Sequence, residues 1–198
     1  MYVYTDGACS NNGKPSAIAS IGIYFGPNDS RNVARRITGK QTNNVAELTA
    51  IIEVYSILKT DILSGKQITI CSDSRYAIKC CSDYGEKCSA DWDTLDIPNK
   101  DLVRHAYELY GQLDNIKFMY IKAHTGKGDI HSLGNAEADK LATSVFPRFV
   151  IPNRIYLNVS YDQKDIAKQL ECKWDVNKKK WYIYDDNTKK ELIINMFK

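Results

Sequence analysis

The chain has 198 residues, of which 43% are hydrophobic and 26% charged, and it carries a formal net charge of +3. That balance is ordinary for a soluble globular protein. No apolar stretch approaches membrane-spanning length, and Met1 leads straight into MYVYTDG rather than a basic-then-apolar leader. The expectation is therefore an intracellular protein, not secreted, with no membrane partner.

Taken in chain order, Tyr2 and Tyr4 alternate with Val3 and Thr5 and predict a strand over residues 1–7 that stops at Asp6-Gly7. SNNGKPS reads as a turn. Ile18 to Phe25 and Asn32 to Thr38 read as two further strands linked by GPNDS, an antiparallel meander. Asn43-Asn44 is expected to cap a helix bearing Ala46, Leu48, Ile51, Ile52, Tyr55 and Leu58 at helical spacing. Ile68 to Cys71 is a buried strand ending at Ser72-Asp73, followed by a helix over RYAIKCC. DYGEKCSADWDTLDIP reads as irregular. Lys100 to Leu113 is a helix with His105 on its surface, Ile116 to Ile121 a strand, and Asn135 to Ser144 a last helix. The order βββαβαβα argues a mixed sheet covered by helices on its faces.

Two prolines between Phe146-Pro147 and Ile151-Pro152 break the helical pattern and set a boundary, giving units 1–147 and 148–198. The second reads as strand RIYLNVS, helix DQKDIAKQLEC, a hairpin through KWDVNKKKWYIYD and helix TKKELIINMF. Residues 1–150 hold 17 Lys and Arg against 17 Asp and Glu, while residues 151–198 hold 10 against 7. The whole positive excess sits in the tail, as a polyanion-binding face or a solvated lysine coat. The six cysteines show no framework spacing, and Cys80, Cys81 and Cys88 lack the paired spacing of a zinc site. Reduced, mostly buried thiols in a reducing compartment are the expectation.

Four acids carry the chemistry: Asp6 in YTDGACSNNG, Glu47 in QTNNVAELTAI, Asp73 in ITICSDSRYAI and Asp139 in GNAEADKLA. A carboxylate closing a hydrophobic strand is costly unless a cation meets it. Asp6 and Asp73 both end hydrophobic runs, and the carboxyl ends of parallel strands are where open α/β sheets build sites. Glu47 and Asp139 can reach the same cleft from helices. Such a set suits hard divalent ions, two of them about 3.5–4 Å apart with Asp6 shared.

The succession YTDGACSNNG, GKQTNNVAEL, CSDSRYAI and AHTG…GNAEADKLA resembles type I ribonuclease H over residues 1–145, in the family's order. The resemblance implies an α/β fold with a mixed five-stranded sheet and helices on both faces. It also implies a two-metal endonuclease acting on the RNA strand of RNA–DNA hybrids and leaving 3′-hydroxyl and 5′-phosphate ends. Asp6, Glu47, Asp73 and Asp139 would be the ligands of two Mg²⁺ ions, with Mn²⁺ as a substitute. His124 in AHTG matches the family's loop histidine; the long segment KGDIHSLG adds His131 as an alternative.

By the same resemblance Asn12, Asn43 and Asn44 contact the RNA strand, whose 2′-hydroxyls are both donors and acceptors. Cys9 and Asn11 would add backbone or packing contacts, and Lys40, Thr42 and Asn99 would form a phosphate pocket for the DNA strand. The lesser reading makes Asn43 and Asn44 mere helix caps. The family's basic protrusion would fall at Tyr84 to Pro98, yet that stretch bears Glu86, Asp91, Asp93 and Asp96 against Lys87. Tyr84 stands where a tryptophan often flanks the DNA channel. Affinity is then expected to be weaker or to be supplied from elsewhere, because phosphate neutralisation dominates such binding.

The tail resembles a small α+β module of unknown function appended to DNA-handling enzymes. Trp174, Lys178, Lys179, Lys180, Trp181 and Tyr182 interleave cations with aromatics, as a nucleic-acid face or as a packed tryptophan pair beside a solvated turn. Two rival readings are a resolvase- or integrase-like DNA nuclease and a non-enzymatic duplex-binding protein. The asparagine-rich motifs speak against the first and the four retained acids against the second. A monomer is expected.

Overall fold

The computed structural model describes residues 1–146 and 152–197, which fall into two compact units, Met1–Phe146 and Pro147–Lys198. The expected boundary at Phe146 to Pro152 lies largely on residues 147–151, outside the described residues.

In the first unit, β1 (Tyr2–Ser10), β2 (Ile18–Tyr24) and β3 (Val33–Arg36) form the expected meander. Helix α1 (Asn43–Leu63) leads to β4 (Ile68–Ser72). Helices α2 (Arg75–Cys80), α3 (Asp83–Ser89) and α4 (Lys100–Tyr110) then precede β5 (Ile116–Tyr120) and α5 (Ile130–Ser144). The sheet is mixed and five-stranded, in the order β3-β2-β1-β4-β5. β1 pairs antiparallel with β2 and parallel with β4, and β4 pairs parallel with β5.

Strand alternation explains the layers. Val3, Ile21, Ile23, Ile68 and Ile70 face one side and pack with Leu48, Ile51 and Val54 of α1 and Val103 of α4. Tyr4 and Cys71 face the other, against Ala138 of α5. Two glycines permit the close approach. A Cβ on Gly7 would overlap the backbone nitrogen of Glu47 in α1, and one on Gly22 would overlap the carbonyl of Ala138 in α5.

Four local expectations need correction. β1 does not stop at Asp6-Gly7 but runs to Ser10, because its pairing with β2 continues from Asp6↔Gly22 to Ser10↔Ile18. The cap of α1 is Thr42, whose side-chain oxygen accepts from the N–H of Val45 at 3.3 Å, not Asn43-Asn44. Part of the segment read as irregular is α3, which buries Gly85 and Cys88. α5 starts at Ile130, five residues early, since Asp129 accepts from the backbone N–H of both His131 and Ser132. A carboxylate there also meets the positive end of the helix dipole.

The second unit is a three-stranded antiparallel sheet, order β6-β8-β7, built from β6 (Arg154–Leu157), β7 (Lys173–Asp175) and β8 (Lys180–Tyr184). Helices α6 (Lys164–Gln169) and α7 (Lys190–Met196) supply Ala167 and Ile193 to its core beside Leu157, Ile183 and Phe197. Among the described residues no helix is long and apolar enough to cross a membrane.

Candidate metal centre and nucleic-acid interface

The parallel pairing of β1 with β4 ends at Thr5↔Ser72, so Asp6 and Asp73 both follow the last parallel pair. Helix α1 crosses directly over Gly7, and its Glu47 accepts the Gly7 N–H at 3.1 Å. Asp6, Glu47 and Asp73 thereby bring one carboxylate oxygen each within 4.8 Å of one another. Asp6 is 6% exposed and Glu47 5%. Asp139 is not within that tight trio, but it lines the same cleft of about 470 Å³, as do His124 and Asn43.

Among the described residues no lysine or arginine lines this cleft. Burial, then the charges of Asp73 and Asp139, push the Asp6 carboxyl up to about 7. Burial first, then Asp6 and Asp73, hold Glu47 well above the ordinary carboxylate range. A partly buried all-oxygen donor set with no neutralising side chain among the described residues is the chemistry that hard divalent cations take. The residues present therefore fit the metal group that the sequence implies.

One residue at the site was quoted in the motif GNAEADKLA without being given a role. Asn135, 4% exposed, donates its side-chain amide to Asp73 Oδ2 at 2.9 Å, and its Oδ1 has no partner among the described residues. Its spacing of one helical turn before Asp139 on α5 puts both on one helix face, but the partner Asp73 lies 62 residues away in the chain and gives no local signal.

His124 has a left-handed backbone (φ +49°) ahead of Gly126 (φ +66°), a conformation a non-glycine residue holds only under local constraint. His131 does not line the acidic cleft. It lies in the first turn of α5, with Nδ1 3.2 Å from the Tyr4 hydroxyl and its ring against Tyr2.

The remaining candidates fall into two groups. Cys9 and Asn43 line the cleft, and the Asn43 N–H donates to Asn12 Oδ1 at 3.4 Å. Asn44 is exposed in the first turn of α1, and Asn11 sits in the turn after β1 with φ +53°. With Thr42 taking the cap, the asparagine side chains are left to other partners. Lys40 donates to Asn99 Oδ1 at 2.9 Å, and both line a second pocket of about 620 Å³. Thr42 does not line that pocket, whereas Arg35 and Lys100 do, and neither was singled out from sequence. Tyr84 is half-buried on α3 and packs against the main core.

Fold and cleft together define an α/β protein of ribonuclease H-like architecture with an acidic centre beyond its parallel strands. The family described as RNase H matches residues 1–146, and a domain of unknown function (DUF5710) matches residues 154–193. The chain belongs to the RNase H family. It is 35% identical over 146 residues to Ribonuclease H1 of Rattus norvegicus, covering 72% of this chain and 48% of that protein. It is 38% identical over 145 residues to Ribonuclease H of Schizosaccharomyces pombe, covering 71% and 50%. Ribonuclease H of Clostridium botulinum (strain Hall) is 30% identical over 156 residues, covering 75% and 97%. The chain thus spans about half the length of the first two relatives and nearly all of the third. The solution structure of the PFV RNase H domain shares the fold, with a TM-score of 0.54 at 21% identity over 72% of this chain and 92% of that one.

The tail's tryptophans and Tyr182 do not form one face. Trp174 pairs with Trp181 across the strands, ring centroids 5.5 Å apart, on the side toward the helices; Tyr182 points to the other. Of the two readings of this segment, the cross-strand tryptophan pair is the one the structure has, and strand alternation separates Tyr182 from it.

Proposed function

We propose that the chain is an endonuclease that hydrolyses the RNA strand of RNA–DNA hybrids with two divalent cations, Mg²⁺ or Mn²⁺. The carrying observation is the convergence of Asp6, Glu47 and Asp73, from β1, α1 and the end of β4, in a cleft shared with Asp139 and His124. Relatives named ribonuclease H, one of them matched over nearly its whole length, support the same reading.

Cations bound by the four carboxylates would supply the positive charge that favours attack on a phosphodiester and stabilises the departing 3′ oxygen. The chain does the rest. Asn135 fixes the Asp73 carboxylate through its amide. Asn12, Asn43 and Asn44 match the 2′-hydroxyls of the RNA strand, and Lys40 with Asn99 holds a phosphate of the DNA strand. His124, at the cleft wall, moves a proton between the reacting groups and solvent. Water's oxygen ends on the 5′ phosphate and its proton on the 3′ oxygen as the P–O3′ bond breaks. Six free thiols, five of them buried, fit a reducing compartment, and we take the working unit to be a monomer.

Asp73→Asn is expected to abolish cleavage of a labelled hybrid while leaving hybrid affinity within about twofold; full activity in that variant would sink the reading. Matched DNA duplex, RNA duplex and DNA junction substrates test the rivals. Junction or DNA cleavage would favour a resolvase-like enzyme, and binding without cleavage a retired scaffold.

A further inference from the structure

The second unit has a sheet face with no assigned role. Strand alternation sends Ile155, Leu157, Trp181 and Ile183 toward the helices. The opposite face receives Arg154 and Tyr156 from β6, Tyr182 and Tyr184 from β8, and Lys173 and Asp175 from β7. Each tyrosine ring carries a cation. The Arg154 guanidinium lies 4.5 Å from the Tyr182 centroid, Lys173 Nζ 4.9 Å from Tyr184, and Lys178 Nζ 4.5 Å from Tyr156. Tyr182 sits in the middle, 5.9 Å from Tyr156 and 5.5 Å from Tyr184.

Among the described residues no carboxylate pairs with Lys173 or Lys178, and Asp175 forms its one ion pair with Arg154. It is 8% exposed and turned inward, accepting from Arg154 Nη1 at 2.6 Å, from the Tyr156 hydroxyl at 2.8 Å and from the N–H groups of Asn177 and Lys178 at 3.0 Å each. Its carboxyl is held down to about 2, chiefly by the Lys178 N–H and then by the Tyr156 hydroxyl. The outcome is a braced turn that carries Lys178, beside exposed Arg154 and Lys173.

A solvated lysine coat requires no aromatic beneath each cation. Free lysine and arginine side chains lose rotamer freedom when fixed. Attraction to a ring beneath an exposed cation offsets part of that loss. The three cations are thus partly ordered before any ligand arrives. The same stacking decides what the face can bind. With a cation over one side of each ring, that side is closed to base stacking, so the face offers charge at fixed places ahead of base readout.

We propose that this face grips the phosphate backbone of a nucleic-acid duplex through Arg154, Lys173 and Lys178, independently of sequence. It rests on the nuclease reading only in naming that duplex as the RNA–DNA hybrid. It supplies the grip that the acidic segment Tyr84 to Pro98 lacks.

The test uses the full chain carrying Asp73→Asn, so that the substrate survives, and fluorescence anisotropy with a labelled hybrid from roughly 50 to 200 mM salt. Lys173→Gln with Lys178→Gln is expected to weaken binding on the order of tenfold at the lowest salt and to flatten the slope of log K against log salt by about 1.8, two contacts at about 0.9 each. Lys168→Gln with Lys189→Gln, an equal charge change off this face, is expected to leave the slope alone, and Lys173→Arg with Lys178→Arg to retain it. An unchanged slope in the first pair, an equal loss in the control pair, or a single strand held more tightly than the hybrid would each overturn the proposal. Cleavage by the chain with native Asp73 is read separately, so a chain that fails to cut can still show the grip, and the reverse.

Discussion

The most exacting prediction concerns Asp6→Asn in metal-free protein. Asp6 is buried beside Asp73 and Asp139, and its carboxyl is displaced from 3.8 to about 7. An acid whose folded pKa is raised binds its proton more tightly folded than unfolded. Its contribution to stability is therefore fully present below about pH 3.8 and is lost as pH rises through about 7. At pH 8 the ionised group costs up to about 4 kcal/mol, three pH units at about 1.36 kcal/mol each. Asparagine keeps the shape and removes the charge. The variant should be more stable than the parent by about 2–4 kcal/mol at pH 8, with the midpoint of thermal unfolding higher by roughly 5–15 °C for a domain of this size. It should not cleave hybrid. Urea and thermal unfolding at pH 8, 6 and 4, in the presence of chelator, read the effect directly. The gain must shrink as pH falls and nearly vanish at pH 4. A destabilised variant at pH 8, or a gain that persists undiminished at pH 4, would refute like-charge burial as the organising stress of the site.

Adding Mg²⁺ to the native chain should remove the same stress, raising the unfolding midpoint and releasing protons near pH 6–7; at a hundredfold excess over Kd the gain is about 2.7 kcal/mol, seen by calorimetry in two buffers of different ionisation enthalpy. Gly22→Ala should cost about 1–3 kcal/mol, because the new methyl meets the backbone of α5 at Ala138 and Ala142. It should also slow hybrid cleavage by shifting Asp139, read as a fall in kcat at temperatures where the variant remains folded. Asp175→Asn should lower the unfolding temperature of the second unit at neutral pH. In the native chain the Asp175 contribution, present above about pH 3.8, should fade as pH drops toward 2, followed by tryptophan fluorescence of Trp174 and Trp181.

Much of the first unit was legible because its signals were local. Alternation marked β1, helical spacing marked α1, and the apolar run Ile68 to Cys71 marked β4. The misplaced ends share a cause: pairings and caps that depend on partners distant in the chain. β1 runs past Asp6 because β2 continues to pair with it, and Gly22 opposite Asp6 carries no strand signal of its own. α5 begins early because Asp129 caps it, and in sequence Asp129 looks like a loop acid next to Gly128. The site's acids were readable as four motifs, but Asn135 was not. Its role depends on which carboxylate faces α5 in three dimensions, and only folding places Asp73 there. In the tail, counting cations and aromatics was not enough. Trp181 and Tyr182 are neighbours in the chain, so a strand must send them to opposite faces.

The two glycines and the acids belong to one physical arrangement. Glu47 lies within reach of Asp6 because α1 lies on Gly7 with no side chain between them, and Asp139 reaches the cleft because α5 lies equally close on Gly22. Close helix packing on both faces is what desolvates Asp6, and desolvation is the largest cause of its raised pKa. The packing that stabilises the sheet therefore also creates the demand for a cation. A larger residue at either glycine would relax both together, exposing Asp6 to water and weakening the contacts of α1 or α5. On this argument Gly22→Ala should lower the Asp6 pKa toward 3.8 as it destabilises the fold, a coupling that carboxylate NMR titration of metal-free protein would detect. A Gly22→Ala variant that loses stability with the Asp6 titration unmoved would separate the two effects and break the link.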